Sequence, residues 1–213
     1  SAISNSYATG DVSGDDYVGG LVGRVKFSSN ITNSYATGFV SGNSQVGGLL
    51  GSLEGNSDAS NSFWNTDTSG QTDGIGTGTG TNVTGKTTLQ MQTLSTFTEA
   101  GWDISSVGGD GTTWRIYEGH TSPLLRSFMT QLDVAGSNTT TTYNGAEQSI
   151  FSTLPDGTDT DLVLGSASAS GTNAGTYNSD LFSEQQGYDI VGTAVLTIEK
   201  KALTITGMTA DDK

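Results

Sequence analysis

The 213 residues include no cysteine. Disulfide frameworks, thiol catalysis and cysteine-ligated zinc are excluded together. Histidine is almost as scarce, and a single His120 with no thiol beside it makes a poor transition-metal site. Basic residues number 8 against 22 acidic ones, a formal charge of −14. A surface of that sign repels phosphate backbones and anionic lipid, which argues against nucleic-acid and membrane-surface partners. Neutral sugars or a divalent cation remain compatible. Charged residues total only 14%, too few for a disordered acidic tail. No apolar run reaches membrane-spanning length, and the opening SAISNSYATG is no signal peptide. It starts in the middle of a motif, so the chain is expected to be a fragment of a longer protein.

Glycine is what abounds, with 31 residues, alongside serine, threonine and asparagine, while hydrophobic residues stay at 32%. That mixture suits extended strands joined by many tight turns. Within it lies an internal repeat. NSYATGDVSG (5–14) returns as NSYATGFVSG (33–42), VGGLVG (18–23) returns as VGGLLG (46–51), and Asn61-Ser62-Phe63 starts a third copy on schedule. Each unit is too poor in apolar residues to bury a core alone. Stacking solves this by placing equivalent residues over one another, with Tyr7, Tyr35 and Phe63 in one ladder and Val18 and Val46 in another. Glycines 10, 14, 19, 20 and 23 are expected at tight corners. A parallel β-helix or a close relative follows.

The pattern NSYATGxVSGxxxVGGLVG resembles the glycine-rich GLUG repeat of large secreted bacterial adhesins of the filamentous-haemagglutinin type. The sequel, NSFWNTDTSGQ (61–71), TLQMQTLSTF (88–97), GWDIS (101–105) and TWRIYEGHTSPLLRSF (113–128), resembles the segment that closes such repeats in that family. GLUG repeats also accompany zinc peptidases bearing H-E-x-x-H, and with His120 alone that protease part is missing here. From about residue 131 the texture changes to short alternating runs, LDVAG (132–136), AVLTIE (194–199) and ALTITG (202–207), the signature of a small antiparallel β-sandwich. This part is similar to the MBG-type immunoglobulin-like modules of the same adhesins. LDVAG and LTITG stand in equivalent places, which implies tandem copies.

Residues 80–87, GTNVTGKT, fit the phosphate-loop pattern through Gly80, Gly85, Lys86 and Thr87. A working phosphate loop needs a buried strand before it and a long helix after it within an α/β sheet. No such strand is legible before Gly80. The stretch reads as a loop entering a short helix, where Thr87 and Gln90 could form a capping box, and no nucleotide is expected. Asp156, Asp159 and Asp161 cluster in PDGTDTD and are the candidate calcium ligands, against a solvated turn set by Pro155-Asp156-Gly157. The pairs Asp15-Asp16 and Asp211-Asp212 raise acid–base chemistry of the glycosidase kind, but Arg24 and Lys26 stand isolated among small polar residues and solvated loops fit better. Trp64, Trp102 and Trp114 are either platforms for sugar rings or closures of the solenoid core. The N-x-[ST] triplets at Asn30, Asn82 and Asn138 arise readily in so Asn- and Thr-rich a chain.

The expected fold is all-β. It comprises a short right-handed parallel β-helix (coils about 1–70, cap about 71–130), an immunoglobulin-like β-sandwich at 131–206, and the start of a further module at 207–213. By resemblance this is a non-catalytic stalk or binding segment of a secreted or cell-surface bacterial adhesin, acting in adhesion or biofilm. Its partner would be a host-surface or matrix ligand, with no cofactor, no membrane insertion and a monomeric fragment. The alternatives are a carbohydrate-binding module for polysaccharide and a polysaccharide-degrading β-helix enzyme.

Overall fold

A computed structural model describes residues 1–203. The chain is all-β, mostly short strands with a few helical turns. It divides into two compact units, Ser1–Met129 and Thr130–Lys213. The module start expected at 207–213, most of the second LTITG, and Asp211-Asp212 lie outside the described residues.

The first unit is laid down in layers. Layer 1 holds β1 (Ala2–Ser4), β2 (Tyr7–Ala8), β3 (Val12–Ser13), β4 (Asp16–Gly19) and β5 (Val22–Val25). Layer 2 repeats them as β6 (Asn30–Thr32), β7 (Tyr35–Ala36), β8 (Val40–Ser41), β9 (Ser44–Gly47) and β10 (Leu50–Leu53). Every pair is parallel and in repeat register: Ile3 opposite Ile31, Tyr7 opposite Tyr35, Val12 opposite Val40, Val18 opposite Val46, Val22 opposite Leu50. A third layer adds β11 (Asp58–Ser60), β12 (Ser62–Asn65) and β13 (Ile75–Thr77), and β14 (Val83–Lys86) lies on β12. Here the repeat shortens. Leu50 faces Ile75 rather than residue 78, and Ser62 faces Val83 rather than residue 90. The ladder nonetheless runs on to Lys86, beyond the expected limit near residue 70.

The words of the motif now have separate jobs. Asn5, Asn33 and Asn61 carry positive φ (49°, 49° and 47°), a conformation asparagine tolerates better than most residues. Ser34 Oγ accepts from Ser6 N–H at 3.2 Å and donates to Thr32 O at 2.8 Å; Ser62 does the same for Ser34. Tyr35 and Phe63 point away from the layer interior, whereas Ala36 and Trp64, one position on, point into it. The strand's period of two therefore feeds two cores. The inner one gathers Val25, Ile31, Leu49, Leu50, Leu53 and Trp64.

Glycines 10, 14 and 20 lie between strands, at the expected corners, whereas Gly19 and Gly23 lie inside β4 and β5; none of the five has positive φ, which falls on Asn5, Tyr17, Asn33 and Gln45. Glycine serves close approach. A Cβ on Gly20 would lie 2.4 Å from Gly48 O, and one on Gly48 would lie 2.2 Å from Trp64 Cδ1. Neighbouring layers leave no room for a methyl group there.

After the ladder come α1 (Thr88–Met91), α2 (Leu94–Thr98), β15 (Ile104–Ser105), β16 (Trp114–Arg115), β17 (Leu124–Leu125) and a 3₁₀ turn at Arg126–Phe128. This segment starts with α1 packed against β14, the last strand of the ladder. It runs along the outward face of β2, β7 and β12, with Trp114 reaching Asn5 and Tyr7 and Trp102 reaching Asn61 and Phe63.

The second unit comprises β18 (Thr130–Asp133), β19 (Asn138–Thr142), β20 (Gln148–Phe151), β21 (Leu164–Ser166), β22 (Ser168–Gly171), β23 (Gly175–Asn178), β24 (Asp180–Phe182), β25 (Tyr188–Val191) and β26 (Val195–Glu199). Alternation in AVLTIE holds, since Ala194, Leu196 and Ile198 are buried with Ala169. An all-antiparallel arrangement does not hold. β20 with β22, β21 with β24 and β23 with β26 are antiparallel, but β18 runs parallel to β25 and β19 parallel to β26. The first two strands lie beside the last two, and such distant pairings are invisible to local periodicity.

The layer spacing makes a sharp comparison. Gly48→Ala should cost about 1–3 kcal/mol, the range for overpacking a filled site. Gly10→Ala, which meets nothing within 4 Å, should be within about 0.5 kcal/mol of the parent. Urea unfolding of both variants measures the difference.

Candidate functional site

The most concentrated chemistry in the first unit is the outward aromatic face and the segment covering it. Tyr7 and Tyr35 stack at 5.3 Å between ring centroids, 15° apart in plane. Trp102 leans on both Tyr35 and Phe63, at 6.4 and 5.8 Å, so the third rung of the ladder is bridged by an indole. Trp102 and Trp114 meet at 5.1 Å, and Phe97 packs on Trp102 and edge-on to Phe63. Such tilted and edge contacts suit the ring quadrupoles. Three polar tips are held: Tyr35 Oη donates to Pro123 O at 2.6 Å, Trp102 Nε1 to Asn61 O at 2.8 Å, and Trp114 Nε1 to Asn5 Oδ1 at 3.3 Å. Burial, with Tyr7 adding to it, pushes the Tyr35 phenol well above its usual range.

These contacts correct the sugar-platform assignment. Trp64, Trp102 and Trp114 are 6%, 5% and 0% exposed. Trp64 lies within the layers against Gly48 and Gly74 and donates to Gln71 O. A ring stacked on by its own protein has no face to offer a sugar.

GTNVTGKT is also reassigned. Val83–Lys86 is a strand paired with 62–65, not a loop, and its backbone is extended rather than wrapped around an anion. Thr87 does form the capping box with Gln90 at the start of α1. Lys86 Nζ sits 5.6 Å over the Phe63 ring. Asp156, Asp159 and Asp161 do not converge: Asp159 accepts from Asp161 N–H to cap a 3₁₀ turn at Thr160–Leu162, and Gly157 turns the chain at φ 81°. Among the described residues no three His, Cys, Asp or Glu side chains are placed to hold a metal ion. The His120 N–H donates to Tyr117 O, and its carbonyl accepts from Gln92 Nε2.

The acidic residues of the layers accept hydrogen bonds from the neighbouring layer instead. Asp11 Oδ1 accepts from Phe39 N–H at 2.8 Å, Asp15 Oδ1 from Asn43 Nδ2 at 3.0 Å, and Asp58 Oδ1 from Thr81 N–H and hydroxyl. Asp16 lies opposite Ser44 in the ladder. Asn82 Nδ2 reaches Asn61 Oδ1, Asn30 sits in β6 between Ala2 and Asp58, and Asn138 opens β19. Arg24 and Lys26 are not isolated. Arg24 forks onto Glu54 at 2.7 and 2.8 Å while lying 4.3 Å over the Tyr17 ring, and Lys26 stands 3.5 Å from the same carboxylate. The Arg24 hydrogen bond, with help from Ser52, holds the Glu54 carboxyl down at about 2. In the second unit Ser152, Ser179 and Thr193 hydroxyls link at 2.7 and 2.9 Å, and those of Ser152 and Ser179 accept the Ala194 N–H.

Sequence reading missed Glu54 and the serine relay, although the relay had a visible signal in the identical place of Ser6, Ser34 and Ser62. It also missed Phe27. That residue is 90% exposed at φ 60°, where the next layer has Gly55 at φ 67°. A left-handed L-residue costs about 1–2 kcal/mol.

No family model, curated protein or solved structure matches the chain.

Two measurements check this region. Trp114→Ala should destabilise the first unit by about 3–5 kcal/mol, read from urea unfolding. Glu54 has a folded-state pKa below its unfolded value of 4.5, so its contribution is whole above pH 4.5 and is lost as pH falls toward about 2. The melting temperature of the parent should therefore fall toward that of Glu54→Gln across this window, and a gap that stays constant from pH 7 to 2 rejects the linkage.

Proposed function

We propose that the chain is a non-catalytic structural segment of a secreted or surface-attached bacterial adhesin. In this reading residues 1–86 form a short right-handed parallel β-solenoid of the GLUG type, flanked by 88–128. The unit from Thr130 is an immunoglobulin-like spacer of the MBG type. The observation that carries the reading is the register: Tyr7 stacks on Tyr35 across one repeat, and every strand of layer 1 has its parallel counterpart in layer 2. Repeats built this way add length without needing a separate core for each unit. A rod that holds a binding region away from a cell needs that property.

The consumption of reactive groups also supports a mechanical role. Carboxylates that would serve acid–base chemistry accept layer-to-layer hydrogen bonds, and the tryptophans that would stack on sugars fill a core. A carbohydrate-binding or polysaccharide-degrading role would have to use other residues.

The test is to display a known sugar-binding module on a non-adherent bacterium, joined to its display scaffold either directly or through the full chain. Attachment to sugar-coated surfaces should be greater with the chain as spacer. Equal attachment, or release of sugars from a polysaccharide panel by the chain alone, would falsify the stalk reading.

A further inference from the structure

All five strands of layer 1 are edge strands, and their open sides belong to one end of the stack. The matching side of layer 2 defines what that end can bind. Asn30, Tyr35, Thr37 and Asn43 N–H groups donate to Ser1, Ser6, Ala8 and Asp15 carbonyls at 2.8–3.0 Å. Their equivalents one repeat earlier, Ala2, Tyr7, Thr9 and Asp15, direct the same comb of donors out of the open end. Between these strands runs an apolar groove of about 330 Å³ whose lining includes Ala2, Ile3, Val22, Val25, Phe27 and Ile31. Ile3 is 38% exposed, although Ile31 and Ala59, its counterparts in layers 2 and 3, are 0% exposed. Phe27, 90% exposed, stands at the rim.

We propose that this end is a docking face for one more 28-residue layer of the same repeat. The proposal rests on the solenoid reading and gives it a specific binding surface. Two observations select this occupant. The face continues an interface already present, since the like side of layer 2 is covered by layer 1 in full register. Charge fits as well: Glu54 occupies in layer 2 the place Lys26 holds in layer 1, and the two pair across layers. A layer with the sequence of 29–56 would bring a second carboxylate beneath Lys26. Open strand edges and an apolar floor are the features by which sheets accept a further strand.

The experiment places a second copy of residues 29–56 directly before Ser1 of the full chain, with the same 28 residues in scrambled order as control. In the extended protein, amide exchange at Tyr7, Thr9 and Asp15 should slow at least about tenfold against the control. The melting temperature should rise, and a tryptophan introduced by Phe27→Trp should emit at shorter wavelength than in the parent. Unchanged exchange at Tyr7, Thr9 and Asp15, with Asn30, Tyr35 and Thr37 still protected, rejects the docking face and leaves the solenoid standing. Fast exchange at Asn30, Tyr35 and Thr37 in the parent chain rejects the solenoid itself. Sedimentation of the parent as a dimer that the added layer abolishes identifies a second copy as the occupant, and so overturns the choice made here.

Discussion

The parallel register between layers is the constraint on which the first unit depends. A backbone hydrogen bond fixes the height of one strand over another, and a side-chain period of two then decides which residue faces in and which faces out. Moving β7 by one residue against β2 would turn Tyr35 into the inner core and Ala36 onto the aromatic face. Both cores would fail together. Short strands of two to four residues cannot hold such a register by themselves, and they are supported by side chains that repeat in step with the backbone. Ser34 and Ser62 each accept an N–H from the layer before and donate their hydroxyl to the carbonyl two residues back in their own layer. Buried hydroxyls satisfied on both sides add specificity with little loss from desolvation.

Much of this was legible because the repeat is a statement about space. Identical words at a fixed interval put Tyr7 over Tyr35 and Val12 over Val40, and the structure has them there. What could not be read was where each ladder points. Tyr7, Tyr35 and Phe63 share a line in the sequence, but facing outward toward Trp102 and Trp114 is a decision made by residues 88–128. Glycine was legible only in part for a related reason. Its usual association is with turns, where Gly10, Gly14 and Gly20 do lie, yet between close layers its missing Cβ matters more than its freedom in φ, and positive φ falls on Asn5, Asn33 and Asn61. In the second unit, alternation located β26 and its buried face. It gave no hint that β18 and β19 run parallel to β25 and β26, because pairing partners so far apart leave no mark on local pattern.

Motif matches failed where composition alone could generate them. GTNVTGKT lies in a Gly/Thr-rich stretch, and its backbone is committed to the ladder above β12. Asp159 of PDGTDTD is committed to a turn, and Asp11, Asp15 and Asp58 to the neighbouring layer. For Asp159, Asp11 and Asp58 the competing use is a backbone N–H, and for Asp15 it is the Asn43 side-chain amide. Where a chain is rich in short polar side chains and built of many strand ends, that use has first claim.

The bond from Trp114 to Asn5 joins residues 109 positions apart. As the chain is made from its N-terminus, Tyr7 and Tyr35 emerge long before the indoles that cover them. Their outward face stays wet through the whole interval in which the layers can pair. The contacts that cover this face are therefore among the most distant in sequence that the first unit makes, and such contacts are the costliest in chain entropy to close.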